Sequence, residues 1–119
     1  MLIKDLNHCE EVTAGDGSLL RQLLHPDKAD ISCRYSLCHA TVRPGQTTRP
    51  HRLKTSEVYY ILEGHARMSI DDESEAVRPG QAIYIPPHAT QHIENTGNYN
   101  LTFLCIVDPA WLKEDEDVL

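Results

Sequence analysis

No apolar run in this sequence approaches the roughly 18–20 residues that a membrane-crossing helix needs. The first residues, MLIKDLNHCEEV, lack the apolar core of a secretory leader. Basic charge is scarce as well. Eleven Lys and Arg stand against 18 Asp and Glu, and the resulting net charge of −7 opposes binding to nucleic acid or to an anionic membrane surface. None of the four cysteines, Cys9, Cys33, Cys38 and Cys105, has a neighbour at CxxC spacing, which excludes the usual zinc and redox motifs and argues against a disulfide framework. There is no internal repeat, linker or low-complexity stretch, and 119 residues suit one domain better than two. The expectation is a single-domain cytoplasmic chain, 1–119, with no nucleic-acid or membrane partner.

What the sequence does have is punctuation. Seven prolines, six glycines and five tyrosines suit short strands and turns. Turn signals recur at Asp16 and Gly17, Pro26 and Asp27, Pro44 and Gly45, Gly64, Asp71 and Asp72, Pro79 and Gly80, Pro86 and Pro87, and Asp108 and Pro109. Between them lie SLCHATV, EVYYILE, HARMSID, QAIYIP, QHIEN and LTFLCIV, the pattern of a sandwich or small barrel.

Side chains alternate across a strand. Glu57, Tyr59 and Ile61 therefore share one face, with Val58, Tyr60 and Leu62 on the other. Likewise Leu101, Phe103, Cys105 and Val107 oppose Leu104 and Ile106. Both faces are apolar, and only one can line a barrel interior, so the other needs cover. A second copy of the chain is the economical cover, which predicts a homodimer. Cys105 reads as a small buried hydrophobe. The segment 1–30 reads as an N-terminal arm in which SLLRQLLHP is either a short amphipathic helix or an edge strand. The acidic tail, 110–119, reads as a solvated helical turn or a frayed end.

Two glycine-bounded segments carry the chemistry. The first, GQTTRPHRLKTSEVYYILEG, spans 45–64 and contains His51, Leu53 and Glu57. The second, GQAIYIPPHATQHIEN, spans 80–95 and contains Pro86, His88, Gln91, His92 and Asn95. These resemble the two motifs of the cupin superfamily, G-x5-H-x-H-x3,4-E-x6-G and G-x5-P-x-G-x2-H-x3-N, with every spacing met. The resemblance, to the small single-domain cupins with one barrel, implies an all-β fold, an antiparallel jelly-roll β-barrel with little helix, commonly dimeric.

In family members with the full set, three histidines and the glutamate hold one divalent metal inside the barrel. Here His51 and Glu57 match directly. Leu53 stands in the place of the second histidine, Gln91 in that of the third, and His88 in that of the second-motif glycine. Leucine has no donor atom. A glutamine oxygen can ligate a hard cation without the basicity of an imidazole. The implied metal set is therefore His51, Glu57 and Gln91, for manganese, iron, nickel or zinc, with no organic cofactor. His92 is the alternative to Gln91, because a bulge after Pro86 and Pro87 would bring it inward.

The residues themselves also allow a plainer arrangement, in which Glu57 hydrogen-bonds His51 and fixes its tautomer. His88 and His92 stand near the barrel mouth. His39 lines the pocket or is exposed, and His8, His25 and His65 read as surface residues. Arg52 faces away from His51 as an ion-pair partner, and Tyr59 and Tyr84 line the pocket or the core. Two functions follow from the resemblance. One is a metal-dependent enzyme on a small molecule, like the dioxygenases or sugar-phosphate isomerases of the superfamily. The other is a metal-free small-molecule-binding or regulatory module.

Overall fold

Alternation of apolar and polar positions sets the strands. In β3 (Ser36–Val42) and β10 (Leu101–Asp108) every second side chain is buried, so each strand presents one face to the core. The computed structural model describes all 119 residues. It arranges them as two antiparallel sheets packed face to face. The first sheet runs β1 (Glu11–Thr13), β2 (Leu19–Leu24), β3, β10, β5 (Ser56–Glu63), β8 (Ala82–Ile85). The second runs β11 (Glu116–Val118), β4 (His51–Leu53), β9 (Gln91–Asn95), β6 (Ala66–Ile70), β7 (Glu73–Val77). Helix is limited to single 3-10 turns at Leu6–His8 and Lys113–Asp115. The all-β jelly-roll expected from the motifs is the fold observed.

Phe103, Ile61, Ile85, Ile93 and Leu101 fill the space between the sheets and are almost wholly buried. Side chains of this size contribute roughly 1.5–3 kcal/mol each on burial. Phe103 packs on Tyr59 with ring centroids 4.3 Å apart. Neighbouring residues of the two motifs hold the barrel's corners. Gly64 has φ +94°, and a Cβ there would stand 2.9 Å from Leu101 Cα, so no other residue fits without moving the backbone. His88 also lies in the left-handed region, at φ +69°, and its N–H donates to the Leu53 carbonyl at 2.7 Å. A glycine would make that turn at lower cost, which accounts for the motif's preference. Asn95 donates to the Val42 and Tyr99 carbonyls and accepts from Gly97 N–H, so its role is to fasten a turn.

Both chain ends are more ordered than the sequence suggests. The LLRQLL portion of the N-terminal arm forms strand β2, half-buried along its length and paired to β1 on one side and β3 on the other. It is therefore an internal strand with neither helical nor edge character. The tail is not frayed. After its 3-10 turn it forms β11, which pairs with β4 so that Glu116 opposes Leu53 and Val118 opposes His51. Its acids tolerate the sheet because Asp117 meets Arg52 at 3.4 Å on the outer face. His25 is also corrected. It is 4% exposed, with Nε2 2.7 Å from the Trp111 carbonyl and Nδ1 accepting from Asp27 N–H, and it anchors the approach to the tail. His8 and His65 are exposed.

Candidate functional site

Strand parity brings four motif positions into the barrel. His51 and Leu53 point inward from β4, Glu57 from β5 and Gln91 from β9, each 5% exposed or less. His51 and Gln91 are direct cross-strand partners. His92 has the opposite parity. It is half-buried on the outer face of the second sheet, beside Ser69, and no bulge turns it inward. His39 likewise lies on the outer face of the first sheet, opposite Arg21 and Leu104. Burial and the Arg21 guanidinium lower its pKa. Tyr59 is buried core, whereas Tyr84 is 62% exposed, and His88 is exposed.

The polar groups form two small networks. In the first, each oxygen of Glu57 has one donor: Gln91 Nε2 donates to Oε1 at 2.6 Å and Cys105 Sγ donates to Oε2 at 2.6 Å. Burial raises the Glu57 pKa, against the pull of these two donors and of His51. Cys38 faces Cys105 across the strand pair. That contact, together with burial and Glu57, holds the Cys105 thiol well above its usual range. In the second network His51 Nδ1 lies 2.9 Å from the Arg49 carbonyl. A carbonyl can only accept, so Nδ1 carries a proton and donates it. His51 Nε2 has no hydrogen-bond partner; its nearest charged neighbour is Asp16 Oδ2 at 3.8 Å. Asp16 is held through its other oxygen, which accepts from Ser18 N–H at 3.0 Å and Ser18 Oγ at 2.6 Å.

Of these groups, Asp16, Ser18, Cys38, His51, Glu57 and Cys105 line a cavity of about 320 Å³. Tyr59, Phe103 and Val107 supply an apolar wall, and Asp16, Glu57 and Glu116 bring carboxylates to the polar side. Three of its members were not read from the sequence as functional. Asp16 sits in a turn far from either motif, Glu116 sits in what reads as a tail, and Cys105 reads as packing. Only Cys105 had a usable clue, since its parity matches the inward residues of the strand next to Glu57.

The resemblance implies a divalent metal among the motif residues, and the donor set as arranged does not fit one. Leu53 fills the second histidine's place with an isobutyl group that is 3% exposed. Gln91 turns its nitrogen toward Glu57 and leaves Oε1 buried without a partner. Both oxygens of Glu57 are engaged. Nowhere do three or more His, Cys, Asp or Glu side chains converge as a metal site. Glu57 and His51 do not bond each other either; each takes different partners.

No helix of the structure is long and apolar enough to cross a membrane. Comparison with known proteins agrees with the barrel. An uncharacterised protein of Methanocaldococcus jannaschii is 44% identical over 105 residues, 87% of this chain and 83% of that one. The mannose-1-phosphate guanylyltransferase ManC of Salmonella typhimurium is 28% identical over 126 residues. That match takes in 98% of this chain, which spans about a quarter (26%) of the enzyme's length. Among solved structures, the polyketide cyclase RemF of Streptomyces resistomycificus superposes with a TM-score of 0.77 at 24% identity, over 97% of this chain and 89% of that one, a likeness of fold. The sequence pattern of the family described as Cupin domain matches residues 38–107. With both motifs at their spacing and the two-sheet barrel around them, the chain belongs to the cupin family.

Proposed function

We propose that the barrel is a metal-free binding site for a small molecule. The observation that carries this reading is that Gln91 and Cys105 each donate to one oxygen of Glu57 while no three ligating side chains converge. Leu53 is packed into the core beside these groups and offers no donor. The His51 Nε2 and Asp16 Oδ2 atoms are left to hydrogen-bond a ligand. The free thiols of Cys38 and Cys105 suit a reducing compartment, so the cytoplasm is the proposed location.

A second reading rests on the unpartnered Oε1 of Gln91. If the amide turned over and Glu57 gave up its donor, His51, Glu57 and Gln91 would offer three ligands to manganese, iron, nickel or zinc. The chain would then be a metal-dependent enzyme, of the dioxygenase or isomerase kind. Elemental analysis of untagged protein, beside the His51→Ala variant, separates the two. The binding reading expects only traces of metal, the same in both proteins after incubation with all four ions. Near-stoichiometric metal that disappears in the variant would overturn it.

The outer face of the first sheet supports a homodimer. Across neighbouring strands the register aligns Leu37, Ile106, Val58 and Tyr84 in one row, and His39, Leu104, Tyr60 and Ala82 in the next. Tyr60, Leu62, Tyr84 and Ile106 remain 36–62% exposed, a contiguous apolar surface of the kind that marks an interface. Sedimentation velocity should give twice the 13.5 kDa chain mass. Ile106→Glu should return the monomer with its fold intact; a wild-type chain sedimenting as a monomer would refute the pairing.

A further inference from the structure

The cavity has a definite polarity, set by which atoms are already committed. Asp16 uses Oδ1 on Ser18, so Oδ2 is its free atom. His51 uses the Nδ1 proton on the Arg49 carbonyl, so Nε2 is its free atom, on a side chain 97% buried. Both free atoms are acceptors when the imidazole is neutral, and they face each other across 3.8 Å. That separation is too long for a hydrogen bond from a protonated His51 to Asp16. Neither atom is sealed from the cavity that both residues line, so a donor on a bound molecule can reach both.

A nitrogen carrying two or more protons fits this geometry, since it can lie about 2.9 Å from each atom. Its charge would be matched by the surroundings. Asp16, Glu57 and Glu116 all line the cavity, and Glu116 is half-buried near Gly15, its Oε1 standing 3.4 Å from where a glycine Cβ would lie. Lys28 is the one Lys or Arg of the lining and is exposed at the rim. The lining also includes Leu20, Tyr59, Phe103 and Trp111, which supply apolar and aromatic surface. An anionic ligand would meet the carboxylates; a purely apolar one would leave the two acceptors unsatisfied.

We propose that the cavity takes a small molecule with a cationic nitrogen head, an ammonium or amidinium, on a compact apolar body. The head donates to Asp16 Oδ2 and His51 Nε2, and the body lies on Tyr59 and Phe103. This rests on the metal-free reading of the site and names its ligand class.

The test uses three probes of one shape, benzylamine, benzyl alcohol and benzoate, titrated calorimetrically into the full chain. Benzylamine should bind and benzoate should not. Asp16→Asn keeps an oxygen for Ser18 but turns an NH2 toward the ligand, and should weaken benzylamine roughly tenfold or more, the loss expected of a hydrogen bond to a charged group. Glu116→Gln, on a half-buried rim residue, should weaken it less, and it carries the test if Asp16→Asn does not fold. Equal or tighter binding of benzyl alcohol or benzoate would overturn the amine assignment and leave the metal-free pocket standing. Failure of all three probes to bind, or unchanged affinity in Asp16→Asn and Glu116→Gln, would also overturn it. Displacement of benzylamine by stoichiometric zinc or manganese would instead remove the metal-free reading beneath it.

Discussion

Replacing Glu57 with glutamine is expected to hold or raise stability at neutral and alkaline pH and to remove a pH-dependence present in the wild type. Glu57 is buried at the cavity wall, and burial raises its pKa above the unfolded value, which is about 4.3. Between those two values the folded chain keeps a proton that the unfolded chain has released. Stability then falls as pH rises, because the native state binds more protons than the unfolded one. The contribution is fully present below the unfolded pKa and is lost as pH climbs through the folded one. Glutamine has no such proton to lose. Its oxygen can still accept from Gln91 Nε2, and its nitrogen meets the Cys105 sulfur, a weak acceptor.

The quantity to measure is the difference in unfolding free energy between variant and wild type at several pH values. Subtraction cancels groups common to both, including Asp108, whose pKa the Arg34 guanidinium lowers, and Glu116, raised by burial. The difference should grow in favour of the variant as pH rises from about 4.3. A difference that stays flat across the accessible range would mean that Glu57 is not held toward its neutral form by burial.

The fold and half of the site were legible because they depend on spacing. A two-residue period decides which face a strand residue takes. His51, Leu53, Glu57 and Gln91 could therefore be placed from the motifs, and the parity argument against His92 agrees with its position on the outer face. Asp16 and Glu116 were not legible. Each comes to His51 through a long-range contact: the turn between β1 and β2 supplies one, and the pairing of β11 with β4 supplies the other. Neither is encoded in local pattern. The tail misled because a run of acids reads as solvated, yet alternate acids on a strand can point to solvent and to a cavity. Asp117 bonds Arg52 outside, while Glu116 lines the pocket. His25 misled for the opposite reason. A lone histidine beside a proline carries no mark of burial, and only the Trp111 carbonyl, 86 positions away, explains it.

Leu53 is where sequence and site meet most sharply, and restoring the missing histidine should produce two opposed effects. Without metal, Leu53→His should destabilise the barrel by roughly 2–4 kcal/mol, because it loses packed aliphatic surface and buries an imidazole with no partner waiting. In thermal unfolding with a chelator present this is a fall of roughly 8–16 °C. With zinc or nickel in excess, the introduced imidazole would share a face with His51 Nε2 and lie near Glu57. The ion would bind the folded state alone. At a hundredfold excess over its dissociation constant such a ligand contributes about 2.7 kcal/mol, enough to recover most of the loss. The wild type, lacking that donor and with both Glu57 oxygens held by Gln91 and Cys105, should show no response to either ion. A Leu53→His variant indifferent to metal would show that the missing imidazole is not what keeps an ion out. The orientation that Gln91 and Cys105 impose on Glu57 at 2.6 Å each would then be the stronger obstacle, because the carboxylate's remaining lone pairs must also be aimed at the ion.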